Sequence, residues 1–76
     1  MPTIKRLPDC TLYMYAGDHA PPHFHVELND GREALIAIAT LTVLKGNIPA
    51  RELKTAMAWA VDNQAHLHTT WKVLNP

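Results

Sequence analysis

The sequence predicts an α+β domain: a three- or four-stranded antiparallel β-meander packed against one long C-terminal α-helix. Three observations lead there. Apolar and polar residues alternate through two stretches of the first half of the chain. An Asp-Gly pair separates two apolar runs, the strongest short-range hairpin signal. After Pro49 the apolar spacing changes from every second residue to every third or fourth, the period of an amphipathic helix. At 76 residues the chain holds one domain, spanning 1–76, and its core is thin.

The first strand is expected over about 11–16, Thr-Leu-Tyr-Met-Tyr-Ala, with Leu12 and Met14 on one face and Tyr13 and Tyr15 on the other. Residues 17–22, Gly-Asp-His-Ala-Pro-Pro, form a loop, because two prolines cannot donate to a sheet ladder. Residues 23–28 alternate strictly and make the second strand. Phe24, Val26 and Leu28 form its apolar face; His23, His25 and Glu27 form its polar face.

The third strand covers about 33–39, and 41–44 extends it or forms a short fourth. A two-residue turn at Asp30-Gly31 sets Glu27 opposite Ala34, His25 opposite Ile36 and His23 opposite Ile38. That register puts isoleucines on the histidine face, so both faces would need cover, one from the helix and one partly from a second copy or a partner. A bulge at Gly31 is the alternative and moves every side chain to the other face. The helix is expected over about 49–70. Its stripe is Leu53, Met57, Ala60, Gln64, Leu67 and Trp71, with Ala56 beside it. Pro49 suits the first helical position and Glu52 suits the first turn. Trp59 lies on a flank with Asn63 and His66.

Composition excludes several functions. Seven Lys+Arg balance seven Asp+Glu, so no whole-molecule charge draws the chain to nucleic acid or anionic lipid. A single Cys excludes an internal disulfide framework and a multi-Cys zinc site. No apolar run reaches the roughly 18 residues of a membrane span, and no signal-peptide pattern opens the sequence. A reducing cytoplasm is the expected location.

The chemistry-bearing stretch is Asp18-His19-Ala20-Pro21-Pro22-His23-Phe24-His25-Val26-Glu27. Histidines at i and i+2 of a strand project from one face, with Cα atoms about 6.5–7 Å apart. His19, His23, His25 and Glu27 make a candidate ligand set for Zn or Fe, since imidazoles with a carboxylate are the usual donors of catalytic sites of both metals. The same histidines also serve metal-free RNA cleavage. His23 and His25 would act as general acid and base, Arg32 or Arg6 would hold phosphate, and Tyr13 and Tyr15 would stack bases. Each of these residues also has a plainer reading: stacked surface histidines, and tyrosines chosen for their β-propensity. Trp59 and Trp71 read as helix packing, His66 and His68 as helix-end residues, and Cys10 as an inert thiol.

The opening Met-Pro-Thr-Ile-Lys-Arg, the strand Leu12-Tyr13-Met14-Tyr15, the block from Asp18 to Glu27, the strand Glu33-Ala34-Leu35-Ile36 and the helix ending near Trp71 together resemble domain-of-unknown-function family 4160. The most specific part is Pro21-Pro22-His23-Phe24-His25-Val26. The resemblance implies a small bacterial protein from a toxin–antitoxin-like gene pair, encoded beside another small domain of unknown function (family 2442). It brings no catalytic assignment.

The first functional expectation is therefore a component of such a pair, acting on RNA through the histidine pair and needing no cofactor. The alternatives are a non-enzymatic module that binds another small protein, as antitoxin or inhibitor, and a small His-based metal-binding domain. A partner protein or a second copy of the chain is expected, and a membrane is not.

Overall fold

The computed structural model describes residues 3–76. Five strands, β1 (Thr3–Arg6), β2 (Cys10–Tyr13), β3 (His23–Leu28), β4 (Glu33–Ala37) and β5 (Val43–Lys45), form one antiparallel sheet in sequence order. A 3₁₀ turn (Ala50–Leu53) leads into α1 (Lys54–Asp62) and α2 (Gln64–Leu74). The α+β meander is as expected; the counts of three or four strands and one helix are corrected to five and two.

The added strand is β1. It offers one apolar residue, Ile4, beside the charges Lys5 and Arg6, so no alternation marks it in the sequence. Its partner supplies the ladder instead, with Thr3 opposite Tyr13, Lys5 opposite Leu12 and Arg6 opposite Thr11. The strand expected over 11–16 starts at Cys10 and leaves the ladder after Tyr13, although Met14 stays fully buried on the core side. The strand expected over 33–39 ends at Ala37, because the chain turns there. The Leu41 N–H donates to the Ala37 carbonyl and the Ala37 N–H to that of Thr42, with Leu41 held at φ 55°. The chain then returns as β5.

The β3–β4 register corrects the two-residue turn. The Gly31 N–H donates to the Leu28 carbonyl at 2.9 Å and the Leu28 N–H to the Arg32 carbonyl at 2.8 Å. The loop is thus Asn29-Asp30-Gly31, with Gly31 at φ 94°, the three-residue form with a glycine bulge. Phe24 meets Ile36, Val26 meets Ala34, His25 meets Leu35 and Glu27 meets Glu33. Ala34, Ile36 and Ile38 therefore join Phe24 and Val26 on the helix side, all fully buried. The bulge alternative holds, and the histidine face carries no isoleucine.

The helical stripe packs as the spacing predicts. Leu53, Ala56, Ala60, Leu67 and Trp71 are buried against Leu12, Met14, Phe24 and Ile36 in one cluster, with Met57 and Trp59 at its edge. Pro49 lies just before the 3₁₀ turn, with ψ 143°, rather than inside the helix. The helix breaks at Asn63, whose φ is −128°. The Asn63 side-chain amide donates to the Trp59 carbonyl at 2.8 Å, taking the acceptor that its own backbone N–H would use in a continuous helix. That N–H donates instead to Ala60. No residue is inserted, so the apolar stripe keeps its phase across the break. No helix of the described residues is long and apolar enough to cross a membrane.

Candidate metal centre

β3 places His23 and His25 on the sheet face opposite Phe24 and Val26, yet both are buried, 2% and 7% exposed. Their cover comes from the same chain. Tyr13, opposite His25 in the ladder, stacks on that ring with centroids 4.9 Å apart and planes 15° from parallel. Tyr15 meets the His25 ring edge-on at 5.0 Å. The Trp71 ring lies 5.2 Å from that of His23. The loop between β2 and β3 brings in Asp18, and it is tied to the end of α2 by the Gly17 N–H, which donates to the Leu74 carbonyl at 3.3 Å. Burial of both histidines thus needs no second copy.

The ring nitrogens have distinct partners. His23 Nδ1 lies 2.8 Å from the Pro21 carbonyl oxygen. A carbonyl can only accept, so Nδ1 carries the proton and donates it there. His25 Nδ1 lies 3.0 Å from Glu33 Oε1 and donates to that carboxylate. Glu33 is fixed in turn by the Tyr13 hydroxyl, which donates to its other oxygen. Both Nε2 atoms then point at one oxygen, Asp18 Oδ2, at 3.0 Å from His23 and 3.5 Å from His25. The second Asp18 oxygen accepts the His19 backbone N–H at 2.9 Å and lies 3.0 Å from His19 Nδ1, which aims Oδ2 inward.

These contacts hold the two acids in the charged form. Burial alone pushes the Asp18 carboxyl up, but the hydrogen bond from the His19 backbone N–H and the three neighbouring imidazoles together hold it below the usual carboxylate range. Glu33 follows the same pattern: burial raises it, and the bonds from Tyr13 and His25 outweigh that and lower it. Burial, followed by the bond to Glu33, drives the Tyr13 hydroxyl upward, so it stays protonated as a donor.

Asp18, His23 and His25 thus offer three ligand atoms within 4.8 Å of one another. Donors held at about 2.0–2.1 Å around a tetrahedral zinc lie about 3.3 Å apart. The two Asp18–histidine distances bracket that value.

The candidate residues read from sequence divide clearly. His23, His25, Tyr13 and Tyr15 come together. His19 contacts Asp18 rather than the shared centre, and its side chain is 83% exposed. Glu27 lies two residues past His25 on the same face, opposite Glu33, and belongs to no ligand group among the described residues. Arg32 is on the helix side of the sheet, donating to Asp30 at 2.9 Å and to Glu52 at 3.2 and 2.5 Å. It borders a cavity of ≈ 370 Å³ with Pro8 and Asp9, and the cavity touches neither histidine. Arg6 pairs with Thr11, in the same ladder row as Glu27 and Glu33.

Sequence reasoning missed Asp18 and Glu33 as site residues. Asp18 stood in the quoted motif, but nothing in strand periodicity says where a loop carboxylate folds. Glu33 was hidden by the register error, since the two-residue turn set Ala34 rather than Glu33 opposite Glu27.

No curated protein and no solved structure gives a significant match to the chain. The family model of a domain of unknown function, DUF4160, matches residues 10–72, most of the chain and all of the site just described, and the protein belongs to that family.

Proposed function

We propose that this protein is a small metal-binding domain that holds one divalent transition-metal ion, zinc or iron(II), through Asp18 Oδ2, His23 Nε2 and His25 Nε2. One observation carries the reading: with both Nδ1 atoms committed as donors, two imidazole lone pairs and a carboxylate oxygen face one another. Facing acceptors need positive charge between them. A single proton would bridge only one ring to Asp18, as a buried imidazolium, and leave the other ring's lone pair facing the carboxylate, with the ring centroids 5.3 Å apart. One divalent ion satisfies all three acceptors at once.

The surroundings support the same choice. Metal-bound histidines generally donate the other ring N–H to a carbonyl or carboxylate, which fixes the ring and raises its basicity. Pro21 and Glu33 take those places. Two histidines with one carboxylate suit zinc and non-haem iron, while a calcium or magnesium site would be built from oxygen.

The test is calorimetric titration of the chelator-treated protein with Zn²⁺ and, without oxygen, Fe²⁺. One ion per chain is expected, with affinity lost about a hundredfold or more in His23→Ala, His25→Ala and Asp18→Asn. Heat signals unchanged by all three substitutions would refute the assignment. A role in a toxin–antitoxin-like pair is a further proposal that rests on the family resemblance. Growth after induced expression tests it: arrest by the wild type and its loss in a folded His23→Ala/His25→Ala variant would support it, and harmless wild type would count against it.

A further inference from the structure

Taking the metal reading as its base, we infer that the ion is coordinatively open, and that its free position takes water or a small anionic donor from solvent. The geometry defines both the number of protein ligands and the direction of approach. Among the described residues the ligand group has three members. Structural zinc sites close the sphere with four protein donors, whereas sites that exchange a ligand keep three and leave one position to water or substrate.

The walls are unequal. His23 is closed by the Trp71 ring and by its bond to Pro21, and His25 by the stacked Tyr13 ring, the edge of Tyr15 and the bond to Glu33. The two histidine side chains are 2% and 8% exposed, but that of Asp18 is 16% exposed and its neighbour His19 is 83% exposed. The Asp18 side is therefore the open one.

His19 is the residue that would close the site if it were closed. It is the nearest further imidazole, its ring 5.7 Å from that of His23. Its Nδ1 and its backbone N–H are both spent on Asp18 Oδ1, the oxygen turned away from the centre. His19 thus orients the Asp18 ligand from outside, leaving the fourth position to an exogenous donor. A divalent ion with one carboxylate ligand keeps a net positive charge, which favours hydroxide, azide or a carboxylate or phosphate oxygen at that position. Such an ion acts as a Lewis acid on bound water.

Cobalt(II) substitution tests this, because its visible spectrum reports coordination directly. The cobalt-loaded wild type and His19→Ala proteins are titrated with sodium azide. Both are expected to change spectrum saturably, and His19→Ala, which loses the Nδ1 contact to Asp18 Oδ1 but keeps the backbone N–H, is expected to bind cobalt no more than about tenfold more weakly than wild type. Bound cobalt with a spectrum indifferent to azide would overturn the inference, because the sphere would be full. So would a loss of cobalt affinity of more than about tenfold in His19→Ala with no azide response in wild type, because His19 would then be the fourth ligand. No cobalt binding by wild type would overturn the metal reading itself and this inference with it, an outcome distinct from tight binding to a closed site.

Discussion

Replacing Gly46 with alanine tests how the sheet holds the acid behind His25. Gly46 follows β5 at φ 111°, and a Cβ there would stand 2.6 Å from the Glu33 carbonyl oxygen, 2.9 Å from Ala34 Cα and 3.1 Å from Ala34 Cβ. All three atoms belong to β4, which is paired on both sides and cannot yield as a surface side chain would. Gly31 is a natural control, since it also has positive φ, 94°, but nothing lies within 4 Å of its Cβ position. Gly31→Ala should cost about 1–2 kcal/mol for the left-handed backbone alone. Gly46→Ala adds a forced displacement typical of overpacking, about 1–3 kcal/mol more, for a total of about 2–5 kcal/mol. A domain of this size has roughly 4–11 kcal/mol of stability in all. The substitution should therefore lower the melting temperature by about 10 °C or more, at roughly 4–8 °C per kcal/mol. Urea melts of both variants, followed by tryptophan fluorescence, measure the difference. Gly46→Ala losing no more stability than Gly31→Ala would refute the close approach of β5 to Glu33.

Four further outcomes follow from the same contacts. Glu33→Gln should keep the fold and weaken zinc binding about 10–100-fold, the usual effect of losing a partner behind a metal-bound histidine, as read by competition with a chromophoric chelator. Gln64→Ala removes the amide that donates to the Ile38 and Ala39 carbonyls at 2.6 and 3.1 Å, and should cost about 1–3 kcal/mol in a urea melt. Cys10 is 1% exposed and its thiol is pushed up to about 11, chiefly by burial, so a disulfide reagent at neutral pH should label it only as fast as the protein unfolds. Asp18 and Glu33 titrate lower folded than unfolded, so acid protonates the unfolded chain first. Stability of the metal-free protein should hold above the ordinary carboxylate range and fall as pH drops through and below it, measured by melts between neutral pH and about pH 3.

The parts of the fold visible in the sequence are those where one physical signal acts alone. Phe24, Val26 and Leu28 alternate with His23, His25 and Glu27 because β3 has a different environment on each face. Leu53, Ala60, Leu67 and Trp71 keep helical spacing because one face of the helical layer meets the sheet. The parts that escaped depend on two signals competing, or on a partner. β1 has almost no pattern of its own and is made a strand by β2. Asn63 is a plausible helix residue whose side chain takes the backbone's acceptor at Trp59. Asp30-Gly31 satisfies two turn types, and choosing between them moves a whole strand face. The histidine pair was legible because both residues lie on one strand, whereas Asp18 and Glu33 join it through a folded loop and a register that spacing does not encode.

The central claim is that both histidine Nε2 atoms bear lone pairs directed at one shared ion. Long-range ¹⁵N–¹H correlation spectra of the imidazole rings, recorded with and without zinc, observe this directly. The account predicts Nδ1–H tautomers at His23 and His25 in the zinc-loaded protein, with both Nε2 resonances shifted by the metal and the His66 and His68 resonances unmoved. Nε2 protonated on either ring in the presence of saturating zinc would contradict it.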